Sequence, residues 1–198
     1  MSRTALVVVD MLNSYAHPDA DRLVCSVEES LPAMTELLER ARSQDVPVIY
    51  VNDNFGRWRS SQQELLDAVL AGERADLVEP LLPDERSLFV VKARHSIFFQ
   101  TPLEYLLGQE GIGRLVLVGQ VTEQCVLYSA LDAHIRHLRV CVPRDAVAHI
   151  HPDLADAALR MMELNMDAEV CAGKEVGFNR LAGPASTRAP ETDEATAG

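Results

Sequence analysis

The feature that most constrains this chain is a recurrence of short, continuous apolar runs rich in β-branched residues: Ala5–Val9, Val46–Val51, Leu88–Val91, Leu115–Val118, Leu138–Val142 and Ala168–Cys171. A strand with one wet face alternates apolar and polar residues. Most of these runs do not, so they belong in a sheet covered on both sides. Helical patterns lie between them. Val27, Leu31, Met34, Leu37, Leu38 and Ala41 recur at spacings of three and four, which predicts a helix over Val27–Arg42 with one apolar stripe. Ser61–Leu70, Pro102–Leu107, Glu123–Ile135 and Asp153–Leu164 read the same way, with Thr101 as N-cap and Pro102 in the first turn of its helix. Alternating strands and helices, joined by right-handed crossovers, predict a single-domain α/β fold. Its core is a doubly wound, mostly parallel β-sheet flanked by helices on both faces.

The 198 residues suit one domain, and after Leu181 no large apolar residue remains. The folded domain is therefore assigned to residues 1–181 and a disordered tail to 182–198. Eighteen Lys and Arg against thirty Asp and Glu give a formal charge of -12, which opposes a polyanionic partner, so no nucleic acid is expected. No apolar stretch reaches the roughly 18–20 residues that cross a bilayer, so no membrane partner is expected either. Ala5–Val9 is too short for a secretory-signal core and runs directly into Asp10, which points to a cytoplasmic protein. Cys25, Cys125, Cys141 and Cys171 lack paired short spacing, so they fit neither a disulfide framework nor a zinc site. His17, His95, His134, His137, His149 and His151 form no compact ligand pattern, and neither metal nor cofactor is expected.

Ligands of doubly wound sheets bind beyond the carboxyl ends of the strands. Here those ends are Asp10–Asn13, Asn52–Trp58, Lys92–Gln100, Gly119–Cys125 and Asp145–His149. Asp10, Lys92 and Cys125 each have an ordinary explanation alone: a turn residue, a solvated ammonium, a buried thiol. The fold brings all three to one rim, where they make an activated nucleophile. The ammonium and the positive end of the helix beginning near Glu123 favour a thiolate, and the carboxylate can take and return a proton. Such a site suits acyl transfer. Asn52, Asp53, Trp58, His95, Phe98 and Phe99 stand on neighbouring strand-end loops and are the candidate substrate-binding residues. Asp53, within an acidic chain, would welcome a cationic substrate.

Four blocks in order, Ala5-Leu-Val-Val-Val-Asp-Met-Leu-Asn13, Lys92-Ala-Arg-His-Ser-Ile-Phe-Phe-Gln-Thr-Pro-Leu-Glu104, Gly119-Gln-Val-Thr-Glu-Gln-Cys-Val126 and Val142-Pro-Arg-Asp-Ala146, resemble the isochorismatase-like cysteine hydrolases. That family includes nicotinamidases and N-carbamoylsarcosine amidase, and the resemblance spans roughly Thr4 to Cys171. It implies Asp10, Lys92 and Cys125 as a catalytic triad and a cis peptide at Gln120–Val121. It further implies an oxyanion hole from the amides of Val121 and Cys125, and a homodimer or homotetramer. Nicotinamidases carry a metal-binding Asp with two histidines after the second strand. The matching Asn52–Trp58 has Asp53 but no histidine, so a catalytic metal is not implied here. Isochorismatases proper commonly lack the cysteine, so Cys125 argues for amide chemistry. The expectation is a metal-independent cysteine hydrolase that cleaves a C–N amide or lactam bond of a small substrate through a Cys thioester. A streptothricin-type lactam is one candidate. The alternatives are hydrolysis of the vinyl ether of isochorismate, which does not need the thiol, and a silent redox-sensing thiol protein.

Overall fold

A computed structural model describes residues 2–56 and 61–179. The assigned tail, 182–198, and Trp58 lie outside the described residues. The strands are β1 (Arg3–Val9), β2 (Val48–Asp53), β3 (Leu88–Lys92), β4 (Ile112–Gln120), β5 (Arg139–Pro143), β6 (Val147–Ala148) and β7 (Glu169–Cys171). They form one parallel sheet in the order β3-β2-β1-β4-β5-β7, with the two-residue β6 paired to β4. Every apolar run named above contributes a strand. The helices are α1 (Ala20–Ser43), α2 (Gln62–Leu70), α3 (Leu103–Gln109), α4 (Leu127–Ile135) and α5 (Pro152–Asn165).

Successive residues of β1 point to opposite faces, and both faces are dry. Ala5, Val7 and Val9 join a cluster with Leu103 and Leu107 of α3, Ala130 and Ala133 of α4, and Met162 of α5. Leu6 and Val8 join the other cluster, with Leu23, Val27, Met34, Leu37 and Leu38 of α1. This two-sided burial is why the strands read as continuous apolar runs.

Three local details differ from the sequence reading. Helix α1 begins seven residues before Val27, at Ala20, where the polar Ser26 occupies a buried position that an apolar count passes over. Pro102 precedes α3 rather than sitting in its first turn, and Thr101 Oγ1 accepts the Leu103 amide at 3.4 Å. The predicted helix over Glu123–Ile135 is two pieces, a π-helical turn Thr122–Val126 followed by α4.

The centre of the sheet is pulled tight at its carboxyl edge. Gly119 (φ +114°) lies beside β1, where a Cβ would collide with the Val9 backbone. Only glycine lets β4 pass this closely and adopt this φ. The residue that follows Val9, just past the end of β1, is Asp10.

Candidate active site

Asp10 leaves β1 with φ +54°, a left-handed conformation that turns its side chain out of the strand pleat at the sheet edge. Its amide donates to Val51 O at 3.0 Å, and its carbonyl accepts Gln120 Nε2 at 2.6 Å. The carboxylate is held at both oxygens: Oδ1 accepts the Asp53 amide at 2.7 Å and Oδ2 pairs with Lys92 Nζ at 2.8 Å. Lys92 is the last residue of β3, with a fully buried side chain. Its Nζ also lies 3.6 Å from Asp53 Oδ2 and 3.6 Å from Cys125 Sγ. Asp10 and the thiol flank the same ammonium, and each shifts the other's titration. The structure thus brings Asp10, Lys92 and Cys125 together at one strand-end cluster.

Cys125 sits in the π-helical turn that follows β4, and polar side chains pin this turn from three directions. Thr122 Oγ1 donates to Ala148 O at 2.8 Å, tying the turn to β6. Glu123 Oε1 accepts the amides of Ile150 and His151 at 3.0 and 2.8 Å, tying it to the start of α5. Ser129 Oγ donates to Cys125 O at 2.5 Å and accepts the Ile97 amide at 3.1 Å, tying it to the loop after β3. Sequence reasoning named Gln120 only for its peptide bond and missed the positioning roles of Thr122, Glu123 and Ser129. The available signal was a cluster of polar residues directly after an apolar strand, where packing alone would not place them. The Gln120–Val121 peptide is cis, and Val121 O accepts the amides of both Gln124 and Val126 at 3.1 Å.

The electrostatics correct one expectation. Cys125 is not poised as a thiolate: burial and the negative charge of Asp10 push its pKa up to about 12, against the weaker pull of Lys92. The turn runs without a break into α4, so the thiol does lie in the first helical turn, but the positive end of the helix does not outweigh burial and Asp10. Burial also raises the Asp10 carboxyl above the ordinary carboxylate range, although Lys92 opposes the shift. The Lys92 ammonium is raised, since Asp10, the thiol and Asp53 together outweigh its desolvation. The resting site is therefore an Asp10–Lys92 ion pair beside a protonated thiol.

A cleft of about 860 Å³ opens beside this cluster, lined by Asp53, Asn54, Phe55, Lys92, Arg94, His95 and Phe99 among others. His95 Nδ1 lies 4.0 Å from Cys125 Sγ, and its ring tilts against Tyr128 with centroids 5.5 Å apart. Phe99 is exposed at the mouth. Asn52 and Phe98 do not reach the cleft. Asn52 is buried and clips the chain after β1: its Oδ1 accepts the Leu12 amide at 2.9 Å and its Nδ2 donates to Leu12 O at 3.1 Å. Phe98 packs in the core beneath the Arg136 guanidinium, 4.8 Å from the ring centroid. Alternation along β2 explains the first, since Asn52 points away from the face that Asp53 uses.

Asp53 is committed as well. Its Oδ1 accepts the Phe55 amide at 2.7 Å, and its Oδ2 faces the Lys92 ammonium. No group of three metal-ligating side chains gathers around it among the described residues. A cation beside Asp53 would compete with Lys92, so the donor set does not suit the metal that nicotinamidases bind here.

The isochorismatase domain model matches residues 4–175. An uncharacterized isochorismatase family protein from Bacillus subtilis is 28% identical over 87% of this chain and 95% of its own length. A ureidoacrylate amidohydrolase from Agrobacterium fabrum is 30% identical, covering 97% of this chain and 94% of its own. Among solved structures, an N-carbamoylsarcosine amidase from Thermoplasma acidophilum superposes with a TM-score of 0.67 at 26% identity, over 88% of this chain and 98% of that one. With its sheet, its strand-end cluster and a match running from Thr4 to Glu175, the chain belongs to the isochorismatase family.

Proposed function

We propose that this chain is an amidohydrolase that cleaves the C–N bond of a small amide or ureide through a thioester on Cys125, without a metal. The observation that carries the reading is the buried Asp10–Lys92 pair at 2.8 Å with a thiol 3.6 Å from the same ammonium, beside an open cleft. As Cys125 attacks the carbonyl carbon, its proton passes to Asp10, whose raised affinity for a proton makes it an effective base. Lys92 stabilises the sulfur charge as it develops. The amides of Val121 and Cys125 are the proposed donors to the oxyanion. Asp10 then gives the proton to the departing nitrogen, and the C–N bond breaks to leave the thioester. Water, deprotonated by the same carboxylate, attacks the thioester and releases the acid and the thiol.

The charges lining the cleft favour an amide that also carries a carboxylate. Asp53, the expected anchor for a cationic substrate, is held by Lys92, whereas Arg94 is exposed at the cleft with no acidic partner among the described residues. The maleamate amidohydrolase of Pseudomonas putida, 28% identical over 79% of this chain, is named for an acid amide of this kind. A streptothricin-type lactam is the cationic counter-candidate. Exposed Tyr128, Leu131 and Ile135 along α4 support the homodimer or homotetramer expected from the family.

The test is turnover of neutral, carboxylate-bearing and cationic amides, with intact-mass detection of protein adducts, by wild type and Cys125→Ser. Turnover with an acyl adduct, both lost in the variant, is expected. A variant as active as wild type would falsify the thioester route and favour vinyl-ether hydrolysis.

A further inference from the structure

Away from the cleft, at the opposite edge of the sheet from β3, two thiols and a carboxylate meet. Cys141 of β5 is register partner to Glu169 of β7, and Cys171 pairs with Pro143 two residues along. Alternation puts Cys141, Glu169 and Cys171 on one face. The two sulfurs are 3.7 Å apart, and the carboxylate of Glu169 offers an oxygen within 4.8 Å of both. The mechanism uses none of these groups, and an apolar edge strand needs none of them. We propose that Cys141, Glu169 and Cys171 form a binding site for a thiophilic divalent cation of the zinc or cadmium type.

Three observations support the assignment. The first is spacing. Two sulfurs each about 2.3 Å from a tetrahedral zinc stand about 3.8 Å apart, so the thiols are already placed to bridge one ion. A disulfide is less well served: two residues along a strand and one strand across separates the Cα atoms by roughly 8 Å, beyond disulfide reach without backbone movement. The second is charge. Binding replaces both thiol protons, M²⁺ + 2 RSH → M(SR)₂ + 2 H⁺, and with Glu169 the ion and its ligands carry -1. The buried Arg114, whose guanidinium lies 2.9 Å from Glu169 Oε2, balances that charge. The third is access. Cys141 is buried, but Cys171 and Glu169 are partly exposed, so an ion can enter at the sheet edge with water as its fourth ligand. The site would clamp the three-residue β7 onto β5. Sequence spacing concealed it, since 30 residues separate the two cysteines.

The experiment titrates reduced full-length chain with Cd²⁺ and with Zn²⁺, in a Cys25→Ser/Cys125→Ser background that removes the exposed and the cleft thiols. One equivalent of Cd²⁺ is expected to bind with thiolate-to-metal charge-transfer absorption, release of about two protons, and a higher Tm. Losing a group that only orients a metal ligand weakens metal sites by about 10–100-fold, so Cys171→Ser, which removes a ligand itself, is expected to cost at least about 100-fold in affinity. Cys171→Ala serves if that variant misfolds. Absence of the absorption in the background protein overturns the proposal, as does absorption that survives both Cys171 substitutions. Failure of the reduced protein to bind either ion, while peroxide joins Cys141 to Cys171, assigns the pair to redox chemistry and equally overturns it.

Discussion

Replacing Lys92 by Met tests the site through stability, independently of any substrate. The ammonium is fully buried and is the counter-charge to Asp10, itself buried, at 2.8 Å. Met keeps most of the volume but leaves Asp10 Oδ2 without its cation; Oδ1 retains only the Asp53 amide. Breaking a buried pair on one side costs about 3–5 kcal/mol, because the remaining charge is stranded. The cost must depend on pH, with a definite sign. Burial already raises the Asp10 carboxyl, and losing Lys92, its main opposing influence, raises it further. The folded variant then holds a proton that the unfolded chain, titrating near 3.9, has released. Stability therefore falls as pH rises through that window, by up to about 1.4 kcal/mol per unit, and the loss relative to wild type grows toward higher pH. Urea unfolding followed by circular dichroism between pH 5 and 8, at fixed protein concentration, measures it. Asp10→Asn/Lys92→Met removes both charges and should recover at least about 2 kcal/mol of the single-variant loss while staying inactive. A Lys92→Met loss below about 1 kcal/mol at pH 8, or one flat across pH, would refute the buried-pair reasoning.

Three other outcomes follow from the geometry. With the thiol pushed up to about 12, alkylation of Cys125 by iodoacetamide should accelerate about tenfold per pH unit from pH 7 to 10; a plateau near pH 8, read by mass spectrometry, contradicts this. Asn52→Ala strands the Leu12 amide and carbonyl and should cost about 2 kcal/mol or more in urea unfolding, where a loss under 0.5 kcal/mol would show that the clip is not needed. Arg94→Gln should raise KM for a carboxylate-bearing amide about tenfold or more and leave a neutral amide within about twofold; equal effects on the two would remove Arg94 from substrate binding.

The fold was legible because burial on both faces writes itself into sequence: the central strands appear as largely apolar runs, and the crossover rule orders the rest. The two-residue β6 was not legible, since Val147–Ala148 is too short to form a pattern. The start of α1 was hidden by Ser26, whose hydroxyl accepts the His149 amide at 2.9 Å, a contact 123 residues away. At the site, a strand-end rule finds which residues share a rim but not which way each points. Asp53 and Asn52 are adjacent, yet one faces the ammonium and the other the Leu12 backbone. Phe98 and Phe99 divide in the same way between core and cleft. The resting thiol was misjudged for a related reason. Composition and order give the sign of each neighbour's influence, whereas the outcome depends on burial and distance.

A raised thiol is compatible with nucleophilic catalysis because of how charge is shared across the three groups. Before attack the buried site holds Asp10 carboxylate, Lys92 ammonium and a neutral thiol; after proton transfer it holds a neutral carboxyl, the ammonium and a thiolate. Net charge is zero in both states, so the transfer creates no new unpaired charge in a dry environment, the change that burial penalises most. Lys92 Nζ, 2.8 Å from Asp10 Oδ2 and 3.6 Å from Sγ, can balance whichever of the two is ionised without moving. At an effective dielectric near 20, a unit charge at that sulfur distance gains about 4–5 kcal/mol from the ammonium as an upper scale. That gain appears only once sulfur becomes negative, and it offsets the pairing with Asp10 that the proton transfer gives up, so the ammonium keeps a counter-charge throughout. On the proposed mechanism, such a site would hold its nucleophile protonated until a carbonyl is positioned to accept the sulfur pair.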